Sequence, residues 1–115
     1  DTAALARAGN LVSQASALTE KGARLGGKGD PVLQHDILTG SREDGRAYDN
    51  RYDRTCRNWS YAGADGSAQI GHSDRDTVGL SISWNSAHQT TGCRPSDLRA
   101  TGGEGLFYCF AADAP

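Results

Sequence analysis

The chain has few large apolar side chains. Methionine is absent and there are two phenylalanines; with leucine, isoleucine and valine the set reaches 17 of 115 residues. That share, about 15%, lies under the ~20% at which disorder enters as an explanation. Disorder also needs a high net charge, and the formal charge is only −2. No apolar run approaches the ~18 residues of a membrane-crossing helix. No basic stripe exists either, and the sequence pI is near 5.8. Counterion release from phosphates, the main driver of nucleic-acid binding, is therefore not available. The length fits one domain. These absences leave a loop-rich folded domain, held by crosslinks or by contact with another polypeptide.

Chemical signatures are missing as well. There is no C-x-x-C pair, no cysteine–histidine spacing of a zinc site, no H-E-x-x-H and no G-x-S-x-G elbow. No cysteine precedes Cys56, and the total of three is odd. In an oxidising compartment one thiol is left over or pairs with another chain. The cysteine usage places the protein in such a compartment, secreted or periplasmic. A leader already removed before Asp1 is part of that expectation.

What is present concentrates between Cys56 and Phe110. This stretch holds Cys56, Cys93 and Cys109, with both tryptophans, Trp59 and Trp84. Strands are expected at about 56–60, 67–71, 80–84 and 105–110, separated by glycine and serine turns. Upstream, Thr2 and Gly9 bracket a short alanine-rich helix, and Leu11, Val12, Ala15 and Leu18 form a weak helical stripe. Residues 21–31 read as loop, and Val32-Leu33 and Ile37-Leu38-Thr39 as the first strand pieces. Residues 42–57 mix acids and arginines, which reads as a solvated, salt-bridged loop. A cation site from Asp44, Asp49, Asn50 and Asp53 fits no calcium-loop spacing. The glycines at 102, 103 and 105 read as a tight turn into the last strand.

The histidines are His35, His72 and His88. Each lies among small polar residues, where an imidazole serves the backbone of a loop. A hydrolytic or metal reading gathers His72, Asp74 and His88, and stands below the structural one. Trp59 and Trp84 read first as core filling and second as sugar-stacking platforms. The sequon Asn58-Trp59-Ser60 is close to chance in a chain of this length.

Several segments taken together carry a resemblance. They are Ala17-Leu18-Thr19-Glu20-Lys21-Gly22, His35-Asp36-Ile37-Leu38-Thr39-Gly40-Ser41, Asp53-Arg54-Thr55-Cys56-Arg57-Asn58-Trp59, Gly66-Ser67-Ala68-Gln69-Ile70-Gly71-His72, Ser83-Trp84-Asn85-Ser86-Ala87-His88 and Gly105-Leu106-Phe107-Tyr108-Cys109-Phe110. Their order resembles the C-type-lectin-like fold, in its endostatin-like branch and the related secreted bacterial lectin-like domains. The similarity covers about residues 17–110, with 1–16 a variable N-terminal segment. It implies an α+β domain of short antiparallel strands and long loops, stapled by disulfides. It implies a Cys56–Cys93 bridge. It also implies that Cys109 pairs with a cysteine of the N-terminal half of such domains, which has no counterpart here. The 115 residues are accordingly expected to be the C-terminal piece of a longer domain, with a second polypeptide bound through Cys109. A Cys56–Cys93 bridge would contribute about 3–4 kcal/mol.

Calcium-binding relatives of this fold use a proline-containing acidic loop before the cysteine and Asn-Asp after the tryptophan. Here the loop reads Asp49-Asn50-Arg51-Tyr52-Asp53, and Asn85-Ser86 follows Trp84. The calcium motif is thus incomplete, and no metal or other cofactor is expected. The function so implied is non-catalytic recognition of a carbohydrate or a protein surface. The loops at 42–53 and 72–90 would form the binding face, with His72, Asp74, Trp84, Asn85 and His88 as candidate contacts. The alternative is a structural subunit of a larger extracellular or membrane-associated assembly.

Overall fold

Apolar residues at 37, 38 and 70, 106 and 107 form the short segments from which a sheet is built. In a computed structural model that describes residues 11–49, 51–75 and 83–110, the sheet has four strands. They are β1 (Asp36–Leu38), β2 (Gln69–His72), β3 (His88–Gln89) and β4 (Gly103–Phe107). Their spatial order is β3-β2-β1-β4. β1 lies antiparallel to β2, with Asp36 opposite His72 and Leu38 opposite Ile70. β2 lies antiparallel to β3, with Ile70 opposite His88. β1 and β4 run parallel, with a register shift between Asp36 and Ile37. The expected antiparallel sheet is therefore mixed: the return from β1 to β4 is a long crossover, and such a connection permits a parallel pair. The α+β class and the Cys56–Cys93 bridge are both present.

The interior is more polar than apolar. Ile37 and Ile70 are the largest fully buried side chains, while His35, Asp36, Gln69, His72, Ser73, Asp74, Asn85 and Thr90 are also buried. The disulfide supplies a second small centre, in which Cys56, Ala68 and Cys93 pack with Leu38 and Tyr61. A core this thin agrees with the low apolar content. Helix α2 (Pro95–Ala100) follows Cys93 directly. Pro95 suits its first turn. Asp97 accepts from the Arg94 backbone N–H at 3.1 Å and from its guanidinium at 2.9 Å.

The expected strand at 56–60 is instead a left-handed turn, α1 (Cys56–Trp59). Four consecutive non-glycine residues have φ of 48°, 56°, 58° and 63°. Each such residue costs roughly 1–2 kcal/mol. The offset comes from side chains just upstream. Asp53 accepts the backbone N–H groups of Thr55 and Arg57, and the Thr55 hydroxyl accepts that of Asn58. The backbone hydrogen bond from Thr55, ahead of the other causes, holds the Asp53 carboxyl below its ordinary range. The disulfide then pins the turn to Cys93.

Other expectations fare unevenly. Val32 and Leu33 are exposed and lie outside the strands. Where a helical stripe was expected, Leu11 and Val12 are irregular, Ala15 lies in a turn in which Ala17 N–H donates to Ser13 O, and Leu18 forms an isolated antiparallel bridge with Arg24. Gly22, with φ of 77°, turns the chain soon after Leu18 and gives nothing to extend a helix. The helix expected at 2–9 lies outside the described residues, as does most of the strand expected at 80–84, of which Ser83 and Trp84 are not in a strand. The 42–57 loop carries the expected ion pairs, Asp44–Arg46 and Asp49–Arg51 among them.

Candidate functional site

Strand pairing alone brings three titratable residues to one face of the sheet. Asp36 stands opposite His72, and His88 stands opposite Ile70, two residues before His72. Residues two apart on a strand share a face. Asp36 Oδ1 is 3.1 Å from His72 Nε2 and 3.5 Å from His88 Nε2. The two Nε2 atoms are 3.2 Å apart. Asp36 and His72 are buried, while His88 lies at the rim with its side chain 39% exposed.

His35 closes the cluster from the other side. Its ring stacks on that of His72, with centroids 4.1 Å apart. Its Nδ1 lies 2.8 Å from Asp74 Oδ1, and its Nε2 3.3 Å from Asp36 Oδ1. Asp74 also accepts the Lys28 backbone N–H at 2.6 Å. Donor bookkeeping follows from these contacts. A carboxylate only accepts, so His35 Nδ1 carries the hydrogen toward Asp74. The Gln89 carbonyl, 3.0 Å from His88 Nδ1, fixes that ring in the same way. Both rings therefore turn their other nitrogen toward Asp36. Two sets of three groups, Asp36/His72/His88 and His35/His72/Asp74, have ligand atoms close enough to share one metal ion.

Of the five residues that the sequence offers as contacts, His72, Asp74 and His88 come together here. Trp84 and Asn85 do not join them. Trp84 is buried against Tyr108 and Phe110, and its carbonyl accepts from the Tyr108 hydroxyl at 3.0 Å. Burial pushes the Tyr108 phenol well above the usual tyrosine range. The Trp84 carbonyl also backs β2: a Cβ on Gly71 would lie 1.8 Å from it, so only glycine fits. Asn85 donates to Arg42 O at 3.0 Å and accepts at its own carbonyl from Thr39 Oγ1 at 2.6 Å, which ties the 42–44 loop to the sheet. The sequence reading named His35 without placing it among the candidate contacts and passed over Asp36, the first residue of β1.

A second place of interest lies at the opposite edge of the sheet. Val12, Leu18, Leu25, Leu106, Phe107 and Phe110 line a cavity of about 400 Å³ that Cys109 also borders. Phe107 is 53% exposed, and Trp59 meets it edge-on, with centroids 5.1 Å apart. Cys109 is an exposed free thiol, since Cys56 and Cys93 bond each other. In the 42–53 loop, Arg54 stands over the rings of Tyr48 and Tyr52. No helix among the described residues is long and apolar enough to cross a membrane. No protein-family model matches the chain, and comparison with curated proteins and with solved structures finds no match for it.

Proposed function

We propose that the chain is a non-catalytic recognition module of a secreted or periplasmic bacterial protein, with a C-type-lectin-like fold, and that its target is a protein surface. One observation carries this reading: an exposed thiol sits within an exposed apolar and aromatic face at the edge of the sheet. Burying a Leu or Phe side chain stabilises a contact by about 1.5–3 kcal/mol. Phe107, Phe110, Leu18 and Leu11 all remain exposed. Among the described residues β4 forms a sheet edge, where an added strand finds backbone donors and acceptors. The occupant that suits all three features is a cysteine-bearing polypeptide segment, laid along β4 and bonded to Cys109. The same thiol favours a second reading, in which the link is permanent and the chain is an assembly subunit.

Intact mass of native material, unreduced and reduced, tests the proposal. A polypeptide released by reduction, and absent from a Cys109→Ser variant, supports it. A mass of 12.1 kDa without reduction, with Cys109 freely alkylated, refutes it. A doubled mass assigns the face to a second copy of this chain instead. Dissociation of the partner under mild reduction favours recognition over permanent assembly.

A further inference from the structure

We propose that Asp36, His72 and His88 bind one divalent transition-metal ion of the zinc type. The argument begins with a buried carboxylate. Asp36 is 2% exposed, and neither of its oxygens takes part in a hydrogen bond among the described residues. A buried carboxylate left in this state costs several kcal/mol. Three imidazole nitrogens stand within 3.5 Å of Oδ1, yet none of them approaches along a hydrogen-bond direction. They crowd the oxygen without donating to it.

Protons alone do not resolve the cluster. His88 gives its Nδ1 hydrogen to Gln89 O, so its Nε2 offers a lone pair inward. His72 Nε2 can donate to that lone pair at 3.2 Å. Asp36 then still has no donor. A cation between Asp36 Oδ1, His72 Nε2 and His88 Nε2 uses all three lone pairs at once. The spacing agrees. Ligand atoms about 2.0–2.1 Å from a tetrahedral zinc lie about 3.3 Å from one another. The three edges here are 3.1, 3.2 and 3.5 Å. Imidazole donors select zinc-type ions over calcium or magnesium. The backbone acceptor at His88 Nδ1 is the outer support that metal-bound histidines use. His35, clamped to Asp74 and stacked on His72, keeps the ligand ring in place.

With three protein ligands, the fourth position belongs to water or to a group from outside, and the half-exposed His88 marks the side from which it enters. This assignment is independent of the β4 face, because the cluster lies across β1, β2 and β3.

The test uses the full chain with Cys109 alkylated and the disulfide closed. That removes the one free thiol that would bind zinc on its own. After chelator treatment, Zn²⁺ is titrated by competition with a chromophoric chelator, and Co²⁺ is added separately to read its visible absorption. One equivalent of Zn²⁺, together with the strong absorption of four-coordinate Co²⁺, is the expected result. His88→Ala, at the exposed rim, keeps the fold by circular dichroism and weakens Zn²⁺ binding more than about 10–100-fold, the loss expected even for an outer-layer residue. Asp36→Asn reports on the carboxylate in the same assay. Absence of stoichiometric Zn²⁺ binding by the folded chain overturns the proposal, and so does a folded His88→Ala variant that binds as tightly as the parent.

Discussion

Removal of the Cys56–Cys93 bridge should remove most of the stability of the isolated chain. The two cysteines are 37 positions apart, so the bridge closes a loop of about 38 residues in the unfolded state. The chain-entropy relation gives about 4 kcal/mol for such a loop. The sulfurs also fill space between Ala68, Leu38 and Tyr61, and truncation to alanine adds about 1 kcal/mol for the gap. Small domains have about 5–15 kcal/mol in total. With so few buried aliphatic side chains, this one belongs near the lower end. The assay is urea unfolding followed by tryptophan fluorescence, because Trp84 is buried and its burial reports on packing. At a slope of about 2 kcal/mol per molar urea, Cys56→Ala/Cys93→Ala should lower the midpoint by about 2.5 M. The slope should also rise, since an uncrosslinked unfolded chain exposes more surface. The wild type in reductant should show most of the same drop, short of the part due to the alanine gap. A midpoint that moves by less than about 0.5 M at an unchanged slope would refute the claim that covalent closure substitutes for a larger core.

Three further expectations concern local features. Asp53→Asn should destabilise the chain at neutral pH, because the carboxylate holds the left-handed turn. Its folded-state pKa is depressed, so this stability is present above pH ~4 and disappears as pH falls through the folded value. Urea midpoints of variant and parent should therefore converge toward acid, and a constant gap down to acid would contradict it. Gly71→Ala should cost about 3 kcal/mol or more, since the new Cβ meets the Trp84 carbonyl and the strand carrying His72 must move. Thermal melting would show it, and an unchanged midpoint would mean that β2 and Trp84 are not in contact. In an alkaline titration followed by absorbance, Tyr108 should ionise well above the usual tyrosine range. Its folded value is raised by burial, so the associated stability is full below pH ~10 and fades above it. Ionisation of Tyr108 within the usual range would refute its burial.

The shortage of core and the odd thiol were readable from composition alone, whereas the Cys56–Cys93 pairing was implied only by the resemblance. The left-handed turn was not read, although Asp53 and Thr55 are the residues that capture backbone N–H groups in turns. Their aromatic and cysteine neighbours gave a strand pattern, and the local hydrogen bonds prevailed over it. Trp84 and Asn85 were read as candidate contacts, and the bonds that Trp84 O accepts from Tyr108 and that Asn85 donates to Arg42 O had no signal in the sequence. Asp36 was passed over because its meaning depends on register. Only the pairing of β1 with β2 puts it opposite His72, and no local pattern carries that information.

The parallel pairing of β1 with β4 sets an order of events for the newborn chain. The strand at 36–38 has one neighbour at 69–72, but the other is not made until residues 103–107 emerge. Until then the central strand lacks half of its ladder, and any early segment resembles an open half-sheet. Distant partners close slowly. The sheet and the sulfur bridge become mutually reinforcing only once residues 103–107 are available.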